Sequence, residues 1–256
     1  MEEFEIVKYR RRKQTKKVII KQIPDEYTGP PTNELCQKIK LAKSHICKTP
    51  FYVQFLRLME SICNEGRVSF SEVLCYGIGH VGMCQTAQHQ VALLVAMIEE
   101  WKPPHTWVFD PVLQPDETRA LEAFGLEMIP KNEACRRTVD AKTLAYMPHC
   151  GRAMYNNLLW ANWDKEKLHH LIIIGNTFSS YTTRLTAKQL QESWYISAIL
   201  PYCCEVPLPC SFPFPNVLND TSIHIFPMQR LAQVPSHVWT NCSQPVVDPN
   251  DPEIVL

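Results

Sequence analysis

Apolar positions early in the chain recur at three- and four-residue spacing: Leu35, Ile39, Ala42 and Ile46, then Phe51, Phe55, Leu58, Met59 and Ile62. That is the spacing of one helix face. Pro50 divides the run, so two packing helices are predicted between Asn33 and Asn64. From residue 70 to 176 the pattern changes to short apolar runs alternating with amphipathic stretches. Glu72–Tyr76, Thr106–Phe109, Leu126–Ile129, Thr143–Met147 and His170–Ile174 read as strands. Between the first two, Cys84, Ala87, Val91, Leu94, Val95 and Ile98 form one face of a covering helix. Further helices are expected after Asp116 and Gly151. This order predicts an α/β fold: a Rossmann-like, doubly wound, mainly parallel sheet with N-terminal helices. Glu72–Tyr76 and His170–Ile174 are expected to be neighbouring central strands.

Beyond Ile174 the pattern weakens. Ten of the twenty prolines lie in residues 201–256, and no glycine follows Gly175. Proline has no amide donor, so long central strands are not expected there. Cys203–Val206 and Ser222–Phe226 are predicted as short late edge strands. The chain thus divides into a flexible basic leader and linker over 1–31, one α/β domain over 32–245 and a loose tail over 246–256.

Charge and composition narrow the classes of function. The 26 basic and 26 acidic residues balance, with a pI near 7.1, so no global field points to nucleic acid or an anionic surface. The local exception is the leader, where residues 1–21 hold eight Lys or Arg against three Glu, as in Arg10-Arg11-Arg12-Lys13. Such a run serves nuclear import or RNA contact, or is simply a solvated arm. Eleven cysteines at irregular spacing, with no CxxC pair, read as thiols in a reducing compartment. No apolar stretch has the length of a signal peptide or membrane span. A soluble protein of the cytoplasm, and of the nucleus as well, is expected.

Candidate chemistry collects where predicted strands end. Tyr76-Gly77-Ile78-Gly79-His80-Val81-Gly82 follows the first strand and opens a helix. Glycines there let a backbone approach a nucleotide phosphate or a methionine-derived cofactor, or they simply make a tight turn. Asp110 follows the second strand, in the place of a ribose-binding carboxylate, but further from Gly79 than the roughly 20 residues expected. Asp110-Pro111 is equally a turn with an Asx bond, and Glu117 fits the first turn of the next helix. Met147-Pro148-His149-Cys150-Gly151 ends the fourth strand and Gly175-Asn176 the fifth. His149 has the chemistry of a general base or metal ligand, Cys150 that of a nucleophile, and Asp110 that of a proton-transfer group. The structural alternative is a histidine bonded to a loop carbonyl and an inert thiol. A zinc site from Cys135, His149, Cys150, His169 or His170 lacks paired ligand spacing, and haem has no Cys-Pro dipeptide to mark it. No metal is expected, and no cofactor can be named.

Five motifs occur in series: Cys75-Tyr76-Gly77-Ile78-Gly79; Phe109-Asp110-Pro111 with Glu117; Tyr146-Met147-Pro148-His149-Cys150; Asn157-Leu158-Leu159-Trp160-Ala161-Asn162-Trp163; and Ile174-Gly175-Asn176-Thr177-Phe178. Together they resemble the Sensitivity-to-Red-light-Reduced-like (SRR-like) domain family, over about residues 68–182. Thr177 stands where the family often has Ser, which keeps the hydroxyl. The resemblance implies a regulatory protein of the cytoplasm and nucleus. In plants the family is tied to red-light signalling and circadian clock input, in animals to haem biosynthesis and clock-gene expression, and it has no established catalysis. It carries over Gly77, Gly79, Asp110, Glu117, His149, Cys150, Asn162, Gly175 and Asn176 as a site without assigned roles. Two classes of function stay open: a regulatory module receiving a small-molecule ligand or a protein partner, and an enzyme holding a nucleotide- or S-adenosylmethionine-type cofactor, such as a methyltransferase. Nucleic acid is expected only through the leader, and no membrane partner is expected.

Overall fold

The computed structural model describes residues 29–63, 68–240 and 243–246. The basic run and all but the start of the expected tail lie outside these residues. Helices α1 (Thr32–Cys47) and α2 (Pro50–Cys63) lead. Pro50 opens α2, a position where its missing N–H is no loss. There follow β1 (Glu72–Tyr76), α3 (Gln85–Trp101), β2 (His105–Phe109), α4 (Pro115–Glu122), β3 (Glu127–Met128), β4 (Thr143–Met147), α5 (Arg152–Ala161), α6 (Lys165–His170) and β5 (Leu171–Asn176). The remainder is α7 (Phe178–Arg184), α8 (Ala187–Glu192), α9 (Trp194–Ile199), β6 (Cys204–Pro207), β7 (Thr221–Ile225), α10 (Met228–Leu231) and α11 (Ser236–Trp239).

The strands form one seven-stranded sheet in the order β3-β2-β1-β4-β5-β7-β6. β1 to β5 are parallel, β7 runs antiparallel to β5, and β6 runs antiparallel to β7. The mainly parallel α/β fold predicted from the sequence is therefore present. Alternate strand residues feed opposite faces. Val73, Cys75, Leu144 and Tyr146 join the core beneath α1 to α4, while Leu74, Tyr76, Ala145 and Met147 join a second core with α5, α6 and α9. With both faces covered, β4 is buried at every residue.

Four expectations are corrected. β1 and β5 are not neighbours, because β4 lies between them and pairs with both. β7 is not an edge strand: it sits between β5 and β6, and its five residues contain no proline. The edge is β6, which ends on Pro207 where a missing donor is tolerated. α3 does not bury one face only. Gln90, Ala92, Leu93, Ala96 and Met97 are buried together with Ala87, Val91, Leu94 and Val95, because α1 packs along its outer side, whereas Cys84 precedes the helix and is exposed. Finally, His170 ends α6 and the fifth strand begins at Leu171, because the Asp164 side chain accepts from the Glu166 and Lys167 amides and starts a short helix there. All cysteines among the described residues are free thiols.

Candidate functional site at the carboxyl edge of the sheet

The parallel strands bring their carboxyl ends to one edge, and the loop after β1 is its centre. Gly77 and Gly79 have φ of +66° and +73°, in the left-handed region that favours glycine. A Cβ on Gly77 would stand 2.5 Å from the Cys150 Sγ, so the thiol of the fourth strand's motif is seated against the glycine turn. That thiol, buried, donates to the Tyr76 carbonyl oxygen at 3.1 Å.

Each glycine amide of the motif donates to an acceptor of this chain. Gly77 N–H reaches the Phe109 carbonyl at 3.2 Å and prolongs the β1–β2 ladder. Gly79 N–H donates to Asp110 Oδ2 at 2.7 Å, and Asp110 Oδ1 accepts from the Val112 amide at 3.0 Å, an Asx turn. Gly82 N–H donates to Glu117 Oε1 at 2.6 Å, and the Gln114 amide donates to Glu117 Oε2 at 2.8 Å. Glu117 has no exposed surface. A buried carboxylate needs strong partners, and the Gly82 amide of the glycine loop and the Gln114 amide at the N-cap of α4 supply them. His80 Nδ1, buried with no hydrogen-bond partner, lies 3.8 Å from Glu117 Oε2, within ion-pair range but beyond hydrogen-bond reach. Asp110 and Glu117 thus hold the glycine loop from two sides.

The ends of β4 and β5 join the same edge. His149 has φ of +58°, a conformation uncommon for any residue with a Cβ. Its Nε2 lies 3.1 Å from the Asn219 carbonyl and its Nδ1 3.3 Å from the Gln90 amide nitrogen, which also donates to the Val217 carbonyl. Asn176 Nδ2 donates to the Cys150 carbonyl at 2.8 Å and to the Tyr181 hydroxyl at 3.2 Å. Tyr155 O–H donates to the Met147 carbonyl and its oxygen accepts from the Asn176 amide. A Cβ on Gly175 would fall 2.5 Å from the Tyr155 ring, so β5 passes close over that tyrosine. Asn176 Oδ1 is buried with no hydrogen-bond partner.

Gly79 with Asp110, Gly77 with Cys150 and Cys150 with Asn176 therefore meet through direct contacts, Glu117 joins through Gly82, Gly175 packs on Tyr155 beside them, and His149 adjoins them facing the 217–219 loop. Asn162 does not join them. It ends α5, which runs back from the carboxyl edge, and its side chain accepts from the Val139 amide and donates to the Arg137 and Leu158 carbonyls. Those bonds fix the approach to β4 at the opposite edge. His169, one of the zinc candidates, lies within 3.2 Å of the Phe226 carbonyl. Burial pushes the Cys135 thiol far above its ordinary pKa. Among the described residues no three His, Cys, Asp or Glu side chains gather as a metal group.

Sequence reasoning missed the polar groups on the antiparallel side. A cavity of about 480 Å³ lies beside β5 and β7, lined among others by Thr177, Glu205, Phe212, Leu218, Asp220 and Ser222. Asn219, which accepts from the His149 side, is part of its wall. Thr177 Oγ1 and Ser222 Oγ are 2.8 Å apart. Glu205 faces His224 across the β6–β7 ladder, its Oε2 3.1 Å from His224 Nε2, and also accepts from the Ser179 amide and hydroxyl. Burial raises the pKa of Glu205, but the bonds from His224 and Ser179 outweigh it and hold the group down at about 2. The sole sequence signal was a glutamate and a histidine in two short alternating runs.

A glycine turn latched by two carboxylates at the carboxyl edge of a seven-stranded, mainly parallel sheet defines the class of this chain as an α/β domain. A family model described as the SRR1 domain matches residues 37–225, and the chain belongs to that family. It is similar to the SRR1-like protein of Mus musculus, 40% identical over 135 residues, which cover 51% of this chain and 54% of the mouse protein. It is 27% identical to the SRR1-like protein of Drosophila melanogaster over 201 residues, 78% of this chain and 71% of the fly protein. Protein SENSITIVITY TO RED LIGHT REDUCED 1 of Arabidopsis thaliana is 32% identical over 161 residues, 59% of this chain and 58% of the plant protein. The match to the mouse protein thus spans about half its length.

Proposed function

We propose that this chain is a regulatory module that receives a small ligand or partner segment at the carboxyl edge of its sheet without turning it over. One observation carries this reading: Asp110 and Cys150, two of the three motif groups with catalytic chemistry, are engaged with the glycine turn, and His149 is bonded to Gln90 and the Asn219 carbonyl. The amides of Gly79 and Gly82 are taken by Asp110 and Glu117, and the Cys150 thiol by the Tyr76 carbonyl. Such mutual engagement fixes geometry and leaves little free capacity for proton transfer. The open groups are Asn176 Oδ1 and the cavity beyond Thr177, and these suit recognition. His149 spans Gln90 of α3 and the Asn219 carbonyl of the cavity wall, next in the chain to the Cys150 that is seated against Gly77.

The plant relative's name ties that protein to red-light sensitivity. Family membership supports a regulatory reading, and we propose for this chain roles in red-light or clock input in a plant and in haem biosynthesis and clock-gene expression in an animal. It acts in the cytoplasm and nucleus, with the basic leader as its contact to the import machinery or to nucleic acid. No helix among the described residues is long and apolar enough to cross a membrane.

The test is a thermal-shift screen of nucleotides, S-adenosylmethionine, haem and amino acids on the full chain, followed by mass spectrometry of any binder. The reading expects a ligand that raises the melting temperature, loses that effect in Asn176→Asp or Thr177→Val, and is recovered unchanged. Conversion of the ligand would overturn it. A second reading, an enzyme with an S-adenosylmethionine-type cofactor, draws on the strand order with one reversed strand beside β5 and on the glycine turn after β1, and is a fold-level analogy. Tight binding of S-adenosylmethionine and of its demethylated product, lost in Asp110→Ala, would favour it.

A further inference from the structure

On the face away from α3, the outer side of α5 and α9 is unusually aromatic. Trp163, Trp194 and Tyr195 pack with ring centroids 4.8 to 5.5 Å apart, and Trp239 lies 5.4 Å from Trp163. Across this shelf lies a short piece of the chain's own C-terminal region, residues 243–246. It is held by its backbone. Tyr195 O–H donates to the Ser243 carbonyl at 2.6 Å, and Arg136 Nη2 donates to the Pro245 carbonyl at 3.4 Å. The Arg136 guanidinium in turn sits over the Trp160 ring at 5.6 Å.

Alternate carbonyls taken by fixed donors, with a proline whose missing N–H costs nothing here, is the way an aromatic groove reads an extended proline-bearing segment. The resident segment fills the groove poorly. Val246 is 95% exposed, Arg136 Nε is buried with no hydrogen-bond partner, and a cavity of about 450 Å³ remains between the segment and Lys188, Glu192, Trp194 and Tyr195. The charges are complementary. Arg136 and Lys165 flank the shelf, Glu192 in the cavity wall is already paired with Arg152 at 3.0 Å and with Lys188 at 3.9 Å, and the sequence after Val246 carries Asp248, Asp251 and Glu253 among further prolines.

We propose that this shelf is a docking site for an extended, proline-bearing, acidic segment of a partner protein, and that residues 243–246 are its tethered competitor. A tethered segment competes at high effective concentration, so a partner binds well only when it fits the vacant part of the groove or when the tether is weakened.

The probe is a fluorescent peptide copying residues 243–254, titrated against the unaltered full chain and against the full chain carrying Gln244→Gly, Pro245→Gly and Val246→Gly together. The proposal expects at least tenfold tighter binding to the altered chain. In that background, Tyr195→Phe or Arg136→Ala should weaken binding severalfold, and a peptide with its prolines replaced by alanine should bind severalfold less well to the altered chain itself. Since Arg136→Ala can disturb the fold through Trp160, Tyr195→Phe, which keeps the ring, decides if the two disagree. Equal binding to both chains, or no response to Tyr195→Phe, overturns the proposal. So does an unaltered chain that sediments as a dimer and becomes monomeric on the triple change, since the groove would then belong to a second copy's tail.

Discussion

The two halves of the sheet's carboxyl edge differ in a way that bears on function. At the ends of β1, β2 and β4 the backbone turn, the Cys150 thiol and the carboxylates of Asp110 and Glu117 close on one another. At the end of β5 and the start of the antiparallel β7 a cavity opens, lined by Thr177, Glu205 and Asp220. The half richest in recognisable motifs is the closed one, and the open half lies largely in the proline-rich stretch where motifs are few. A motif at a strand end can therefore be a latch that shapes the edge, while the cavity lies next to it.

Substitutions should separate the two halves, starting with the tightest point. Gly77→Ala combines left-handed backbone strain of about 1–2 kcal/mol with an overpacking cost of about 1–3 kcal/mol, since its Cβ meets the Cys150 Sγ. It should cost roughly 3 kcal/mol or more in urea unfolding. Gly79→Ala, with nothing within 4 Å of its Cβ, should cost only the strain. Equal losses at the two glycines would mean that Cys150 is not seated against the turn.

Next in size is Glu117→Ala, which leaves the Gly82 and Gln114 amides without their acceptor and should cost about 3 kcal/mol. On the open side the expected effects are smaller and depend on pH. Glu205 is held at about 2 against an ordinary 4.5, so its contribution is complete above about 4.5 and fades as the pH falls towards about 2. Glu205→Gln should therefore be about 1–2 kcal/mol less stable near neutral pH, with the gap to the unaltered chain closing over that acidic window. A gap that widens on acidification would contradict the assignment. Smallest is Arg184→Ala: the side chain is 63% exposed although paired with Asp220, and its loss should change stability by less than about 1 kcal/mol.

Much of this was legible in the sequence because parallel strands covered on both faces are short apolar runs. β1, β2 and β4 fall within a residue of where periodicity put them. Pairing was not legible, since periodicity says that β5 exists but not that β4 separates it from β1. The interior place of β7 was hidden by the prolines around it, which sit in the flanking loops, while the strand itself has none. Asp110 as an Asx turn and Glu117 in a first helical turn were both readable from local chemistry. That each would also accept from a glycine of a distant loop was not, because those bonds join residues far apart in sequence. Glu205 and His224 escaped notice for the same reason: their pairing exists only across the β6–β7 register.

The central claim, that the glycine loop is a latch closed by its own carboxylates and not a cradle awaiting an anion, is tested most directly by amide hydrogen exchange of Gly79 and Gly82 followed by NMR. The latch predicts slow exchange at both amides in the ligand-free chain, selective loss of protection at Gly79 in Asp110→Asn and at Gly82 in Glu117→Gln, and no change on adding ATP, S-adenosylmethionine or inorganic phosphate. Fast exchange in the ligand-free chain that slows when one of these is added would contradict it and return the loop to the cofactor-binding reading.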